Sequence, residues 1–140
     1  MKTKDLAKLV KKTLEEIDSI AISLEKEIYF KGNNLEELNK DIKTGIENRA
    51  IHKAGVYIIG TESDILYIGD GGKSNKNEDE GTMGHRIIQH LYKTDWRDDA
   101  RNVCFIPVYP REFSRLAEQI ALAIYFHKYN KLPSQNKDWK

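Results

Sequence analysis

The stretch GVYIIGTESDILYIG, from Gly55 to Gly69, decides the fold that we predict for this 140-residue chain. It contains two short runs rich in valine, isoleucine and tyrosine, Gly55–Gly60 and Ile65–Gly69, which a polar turn separates. Such runs on either side of a polar turn predict an antiparallel hairpin. If the turn leaves an odd number of residues unpaired, Tyr57 and Tyr67 lie opposite each other on one face, because side chains alternate along a strand.

The other face of this hairpin is expected to be apolar. Four residues are assigned to it by the same alternation: Val56, Ile58, Leu66 and Ile68. A third strand is predicted over Val103–Tyr109, a nearly continuous apolar run that indicates burial on both faces. Pro107 should lie at the end of that strand, at a sheet edge or at a bulge, because proline cannot donate to a ladder.

The composition is that of a globular protein with one cysteine. Hydrophobic residues make up 39% of the chain and charged residues 32%, which is typical of a folded domain. The longest apolar run, Ala121–Phe126, is far too short to cross a membrane, and the first residues lack the apolar core of a secretory signal. Cys104 lies in an apolar run, which favours a buried thiol. We therefore expect a cytoplasmic protein that has no membrane contact.

Charge is distributed unevenly along the chain, although the net charge is only +1. Residues 62–80 carry six acidic side chains and two lysines, whereas residues 86–140 carry ten basic and six acidic side chains. A basic face in the last third is the usual footprint of phosphate binding.

The residues before Gly55 predict a helical hairpin. Apolar residues recur at helical spacing from residue 3 to about residue 28, and Asn34 followed by Glu37 predicts the capped start of a second helix. We therefore expect two parts, an N-terminal helical extension over residues 1–50 and a main domain over residues 51–140. The helical extension would offer a surface for a second copy of the chain or for a protein partner.

The longest helix is predicted near the C-terminus, from Arg111 to Tyr129. Its core stripe is expected to contain Phe113, Ala117, Ile120 and Ile124. Glu118 falls on the adjacent stripe, among apolar neighbours. A buried carboxylate costs several kcal/mol unless it meets a cation or a metal ion. Glu118 is therefore the acidic residue most indicative of a functional site.

The segment between the hairpin and the third strand predicts a loop and a short helix. Residues 70–84 are glycine-rich and polar, and the helix runs from residue 83 or 84 to Tyr92. Its apolar residues are Ile87, Ile88 and Leu91. Arg86 and His90 are one helical turn apart and so lie on one face.

The order of these motifs resembles the GIY-YIG endonuclease superfamily. The resemblance covers residues 54–137 and consists of Gly55-Val56-Tyr57, Tyr67-Ile68-Gly69, the Arg86–His90 helix, Glu118 and Asn136. It implies a small three-stranded antiparallel sheet flanked by helices, within an α/β (α+β) fold. It also implies metal-dependent hydrolysis of a DNA phosphodiester bond.

The resemblance assigns a role to each matching residue. Glu118 would be the ligand of one divalent ion, Mg²⁺ or Mn²⁺, which prefer oxygen ligands. Tyr57, Tyr67 or His90 would orient and deprotonate the attacking water. Arg86 would hold the scissile phosphate. Three further residues would contact or support the substrate: Gly69, whose backbone passes close beneath it, Lys73 and Asn136.

Two departures from the family pattern and one alternative function accompany this prediction. Sixteen residues separate Gly69 from Arg86, and the insert, residues 73–82, is acidic. Glu118 and Asn136 are also far apart for the family, which leaves Asn130 as an alternative to Asn136. The alternative function is a catalytically inactive module that keeps the fold and binds nucleic acid or assembles with a partner.

Overall fold

The chain is described here by a computed structural model over residues 1–17, 22–47, 54–71, 87, 91 and 97–137. Five strands and three long α-helices occur in these ranges: α1 (Thr3–Glu15), β1 (Ser23–Leu24), β2 (Ile28–Lys31), α2 (Leu35–Glu47), β3 (Gly55–Gly60), β4 (Ile65–Asp70), β5 (Asn102–Tyr109) and α3 (Ser114–Tyr129). Two short 3₁₀ turns, Arg97–Asp99 and Arg111–Phe113, precede β5 and α3. None of the helices in these ranges is long and apolar enough to span a membrane.

The strands form one antiparallel sheet with β5 near its centre. The order is β1-β5-β3-β4, and β2 also pairs with β5. The predicted strands β3, β4 and β5 are confirmed, as is the burial of β5, whose residues are buried except Tyr109. The mixed α/β class is therefore confirmed, but the part of the chain that the structure describes forms a sheet of five strands and not three. Cys104, within β5, is buried as predicted, and burial raises the pKa of its thiol to about 12.

Pro107 explains why two short strands, β1 and β2, share one side of β5. The amide of Val108 donates to Ala54 on the β3 side, while the carbonyl of Pro107 accepts from Glu25 on the other side. Because the nitrogen and carbonyl of one residue point to the same side of a strand, the missing donor of Pro107 faces the break between β1 and β2. The proline thus lies at an interruption of the ladder and not at a sheet edge.

The register of the β3–β4 hairpin differs from the prediction. Tyr57 pairs with Gly69, and Tyr67 pairs with Ile59, so the two tyrosines are diagonal neighbours on one face and not direct partners. The pairing shifts between Ile59 and Gly60. Because such an irregularity offsets the alternation of side chains, Leu66 packs with Tyr57 and Ile59. The assignment of Leu66 to the opposite face was therefore wrong.

The prediction of an N-terminal helical hairpin was also wrong. The first helix ends at Glu15, and β1 and β2 follow it. The run Ile28-Tyr29-Phe30 contains β-branched and aromatic residues that suit a strand, and the side of β5 opposite β3 supplies its partners. Helix α1 buries Leu6, Ala7, Val10 and Leu14 in the same core as residues of α3, β3 and β5. The division into domains 1–50 and 51–140 stays a prediction about independent folding.

Helix α2 begins as the sequence predicts. The side-chain oxygen of Asn34 accepts a hydrogen bond from the amide of Glu37 at 2.9 Å. The Glu37 carboxylate in turn accepts from the amide of Asn33 at 3.2 Å, one residue before the position that a capping box uses. These two bonds satisfy donors that the helix start would otherwise leave unpaired.

Helix α3 buries a different stripe from the one predicted. Its buried residues are Ser114, Ala117, Glu118, Ala121, Leu122 and Tyr125, whereas Phe113, Ile120 and Ile124 are only half-buried. The helix packs against α1 on one side and against β3 and β4 on another, so the stripe between these contacts is the most enclosed. Glu118 lies within that stripe. Asn130 ends the helix in the left-handed conformation, with φ 56°, which explains its presence there.

Candidate active site

The first part of the candidate site is a pair of phenols above a glycine. A Cβ atom added to Gly69 would lie 2.5 Å from both the Cζ and the hydroxyl of Tyr57, and 2.8 Å from Cε1 of Tyr67. The two rings have centroids 6.2 Å apart and are tilted by 33°. Gly69 therefore provides the space in which the Tyr57 hydroxyl lies, because any side chain would displace it.

Glu118 is the second part of the site. It is 4% exposed, although it carries a carboxylate, and the side-chain amide of Gln119 donates to it at 3.4 Å. Its charge is close enough to Tyr67 to contribute to a raised pKa of that phenol. The structure thus brings Glu118 of α3 near Tyr67 of the β3–β4 hairpin.

The two carboxylates near Tyr67 affect its protonation. Burial is the main cause that raises the pKa of Tyr67, and the charges of Glu118 and Asp70 raise it further. Since an unperturbed tyrosine has a pKa of about 10, Tyr67 keeps its proton at neutral pH. Tyr67 is therefore a hydrogen-bond donor in this site and is poorly suited to act as a base.

Asn136 braces the strand that carries Tyr67 and Gly69. Its side-chain oxygen accepts from the amide of Ile68 at 2.9 Å, and its side-chain nitrogen donates to the carbonyl of Ile68 at 2.9 Å. The amide of Gln135 donates to the carbonyl of Leu66 at 2.9 Å. Because β4 is at the edge of the sheet, these bonds occupy backbone groups that a neighbouring strand would otherwise pair.

Three predicted site residues, Arg86, His90 and Lys73, lie outside the described residues. The acidic insert over residues 73–82 lies outside them as well, and so does Ile88. The two described residues of the intervening helix, Ile87 and Leu91, are helical and buried. This agrees with the predicted apolar face of that helix. Of the eight predicted site residues, the structure therefore describes five, Tyr57, Tyr67, Gly69, Glu118 and Asn136.

The described residues fit a divalent ion that has few protein ligands. Within these ranges, no group of three or more histidine, cysteine, aspartate or glutamate residues surrounds a common point. Mg²⁺ commonly uses one or two carboxylates and keeps several waters. Glu118 would supply one such oxygen ligand from an enclosed position, and Asp70 is a second acidic residue whose charge acts on Tyr67. This donor set suits Mg²⁺ or Mn²⁺ better than a metal that requires nitrogen or sulfur ligands.

Sequence reasoning missed Asp70 and a buried polar network at the other end of β3. Asp70 directly follows the Tyr67-Ile68-Gly69 motif, which was the available signal. In the network, Thr3 donates to Asn102 at 2.7 Å, and Asn102 donates to the carbonyl of Thr61 at 2.9 Å. No local pattern identifies these partners, because Thr3 and Asn102 are 99 residues apart in the chain.

Comparison with protein-family models, with curated proteins and with solved structures found no match to this chain.

Proposed function

We propose that this protein is a metal-dependent DNA endonuclease of the GIY-YIG type. The observation that carries the proposal is the buried carboxylate of Glu118, whose charge acts on Tyr67, together with the two phenols above Gly69. A carboxylate oxygen is a ligand that Mg²⁺ and Mn²⁺ prefer, and tyrosine hydroxyls are suitable groups for orienting water. Phosphodiester hydrolysis uses both kinds of group.

The two tyrosines take different roles in the proposed reaction. For this role the phenol of Tyr57 must first lose its proton, which a nearby cation such as Arg86 would favour; the phenolate then accepts a proton from the attacking water while the water oxygen forms its bond to phosphorus. Tyr67 donates a hydrogen bond that orients the water or a phosphate oxygen, because its raised pKa keeps it protonated. The bond from phosphorus to the leaving oxygen then breaks, and that oxygen takes a proton from solvent. The raised pKa argues against Tyr67 as the base, which leaves Tyr57 and His90 as the candidates.

Glu118 and Arg86 would each bind a charged group in the proposed reaction. Glu118 would hold a Mg²⁺ or Mn²⁺ ion, which stabilises the negative charge on the leaving oxygen when bound. The guanidinium of Arg86, whose role the resemblance implies, would bind two oxygens of the scissile phosphate. Asn136 keeps β4 in place and so fixes the position of Tyr67 relative to Tyr57.

A cleavage assay tests this proposal. The purified protein is incubated with supercoiled plasmid and with branched DNA, in Mg²⁺, in Mn²⁺ and in chelator. We expect nicked or linear product with either ion and none in chelator. If no DNA is cut under any condition, the nuclease proposal is rejected and the inactive binding module becomes the better description.

A further inference from the structure

We propose that a basic groove at the start of α1 binds the phosphates of a nucleic acid strand. This "α1 groove" would be a second nucleic acid contact, and its use in catalysis rests on the proposed function. None of the described site residues, Tyr57, Tyr67, Gly69, Glu118 and Asn136, lines it.

The groove is large enough for part of a nucleic acid backbone. Its volume is about 490 Å³, and its walls come from α1, the end of β2, the start of α2, the turn after β3 and the start of β5. Four basic side chains line it: Lys2, Lys4, Lys31 and Arg101. Two acidic residues, Glu37 and Glu62, also line it, so the formal charge of the lining is +2. Clustered cations in a concave surface attract phosphates.

Two of the cations are held in position by the protein. The ammonium of Lys4 lies 4.2 Å from the centroid of the Tyr29 ring, a cation–π contact that holds it above the aromatic face. The Nη1 atom of Arg101 donates to the carbonyls of Asp98 and Ala100. A guanidinium has five N–H donors, so these bonds fix Arg101 and still leave donors for a phosphate.

One of the two carboxylates is committed to another contact. Glu37 accepts hydrogen bonds from the backbone and the side chain of Asn33 as part of the α2 cap. That contact holds the Glu37 carboxylate at the helix start, and its charge stays in the lining, where four cations outnumber two carboxylates. The cations therefore dominate the field that an incoming phosphate meets.

The start of α1 adds to the positive character of the groove. No side chain caps this helix at Lys2, and the amide groups at a helix N-terminus carry a partial positive charge. Thr3, Asn102 and Thr61 form the hydrogen-bonded network that holds the helix end against β5 and the hairpin turn. The first turn of α1 is thus fixed at the wall of the groove.

Charge removal within the groove tests this proposal. The double variant Lys4→Ala/Lys31→Ala is compared with Lys40→Ala/Lys43→Ala, which removes the same charge from exposed lysines of α2 outside the groove. Binding of fluorescent single-stranded and double-stranded 20-nucleotide DNA is measured by anisotropy, in chelator, across a salt series. Thermal melting shows that each variant is folded, and Lys4→Arg/Lys31→Arg restores the charge.

The groove variant should bind DNA more weakly than the control variant does. Each lost phosphate contact lowers the slope of log affinity against log salt concentration by about 0.9. For the two lysines together, this corresponds to roughly 10- to 60-fold weaker binding at ~0.1 M salt. The arginine pair should restore the affinity. The proposal is overturned if the groove variant keeps the wild-type affinity and salt slope, or if the control variant loses as much affinity.

The chelator separates this test from that of the nuclease. Protein that binds DNA through the groove and never cuts it in Mg²⁺ would support the groove and reject the nuclease. Protein that cuts DNA, and whose affinity does not depend on Lys4 and Lys31, would reject the groove and leave the nuclease in place.

Discussion

Tyr57 and Tyr67 lie above the same glycine, yet their surroundings differ. Tyr67 is close to two carboxylates, and its pKa is raised by burial and by those charges. The hydroxyl of Tyr57 lies over the Cα of Gly69, where only a glycine leaves room for it. The Tyr57 side chain is 4% exposed, so the surrounding core fixes its position, and a fixed position is what a proton acceptor needs.

Removal of each tyrosine hydroxyl tests this assignment. Loss of a general base typically costs about 10²–10⁴ in rate, so Tyr57→Phe should lose at least a hundredfold of the cleavage rate and keep its DNA affinity. Tyr67→Phe loses a neutral hydrogen bond worth about 1 kcal/mol, or roughly tenfold at most. Single-turnover cleavage rates of both variants show which tyrosine acts as the base. If Tyr57→Phe cuts at the wild-type rate, the base is another group and His90 is the next candidate.

The sequence predicts much of the site at the residue scale. Strand alternation puts Tyr57, Tyr67 and Gly69 on one face, and helical spacing puts Glu118 among apolar neighbours. The shift that moves Leu66 to the tyrosine face depends on a local irregularity in pairing, which alternation cannot predict. The contact between Gly69 and Tyr57 follows from the register, so it too was missed.

At the element scale, β4 is an edge strand that the residues after α3 cover. Asn136 behaves as one more peptide group, since its amide accepts from and donates to the same residue, Ile68. Gln135 continues the pairing toward Leu66. An edge covered in this way is protected from pairing with another chain, and the hairpin that carries the tyrosines is held in place.

Loss of this brace should be visible at one amide. In Asn136→Ala the backbone groups of Ile68 lose their partners, which should destabilise the fold by about 1–3 kcal/mol. Hydrogen exchange of the Ile68 amide should accelerate, whereas Ser134→Ala, an exposed change in the same turn, should have little effect. Slow exchange at Ile68 in Asn136→Ala, together with weaker DNA binding, would instead assign Asn136 to phosphate contact.

The elements of the N-terminal part show where sequence reasoning fails. The cap of α2 was predicted because a cap is local, involving Asn34 and the next three residues. Strands β1 and β2 were missed because their pairing partners in β5 are 71 to 86 residues away in the chain. Tertiary pairing, and not intrinsic propensity, decides whether a short segment such as Ile28–Lys31 becomes a strand or part of a helix.

At the scale of the whole molecule, the N-terminal helix is part of the main core. Leu6, Val10 and Leu14 of α1 are fully buried with residues of the sheet and α3. Their side chains contribute to the same apolar cluster as Val56 and Ile58, on the face of the hairpin opposite the tyrosines. The stability of the site should therefore depend on α1.

Two leucines of α1 provide a matched test of this dependence. Leu6 is fully buried, and Leu9, in the same helix, is 43% exposed. Truncation of a buried leucine typically costs about 2–5 kcal/mol, so Leu6→Ala should unfold at a clearly lower urea concentration than Leu9→Ala. Urea unfolding should be followed by a spectroscopic signal from groups in residues 54–137. A midpoint for those groups that is equal in both variants would show that the N-terminal part folds separately.

The central claim is that Glu118 holds the metal ion that DNA cleavage requires, and a Mn²⁺ titration with parallel cleavage tests it most directly. Wild type is compared with Glu118→Gln and with Glu112→Gln, an exposed change just before the same helix. Bound Mn²⁺ is measured by electron paramagnetic resonance. We predict that wild type and Glu112→Gln bind Mn²⁺ and cut DNA, and that Glu118→Gln stays folded but does neither. Wild-type cleavage by folded Glu118→Gln would contradict the account.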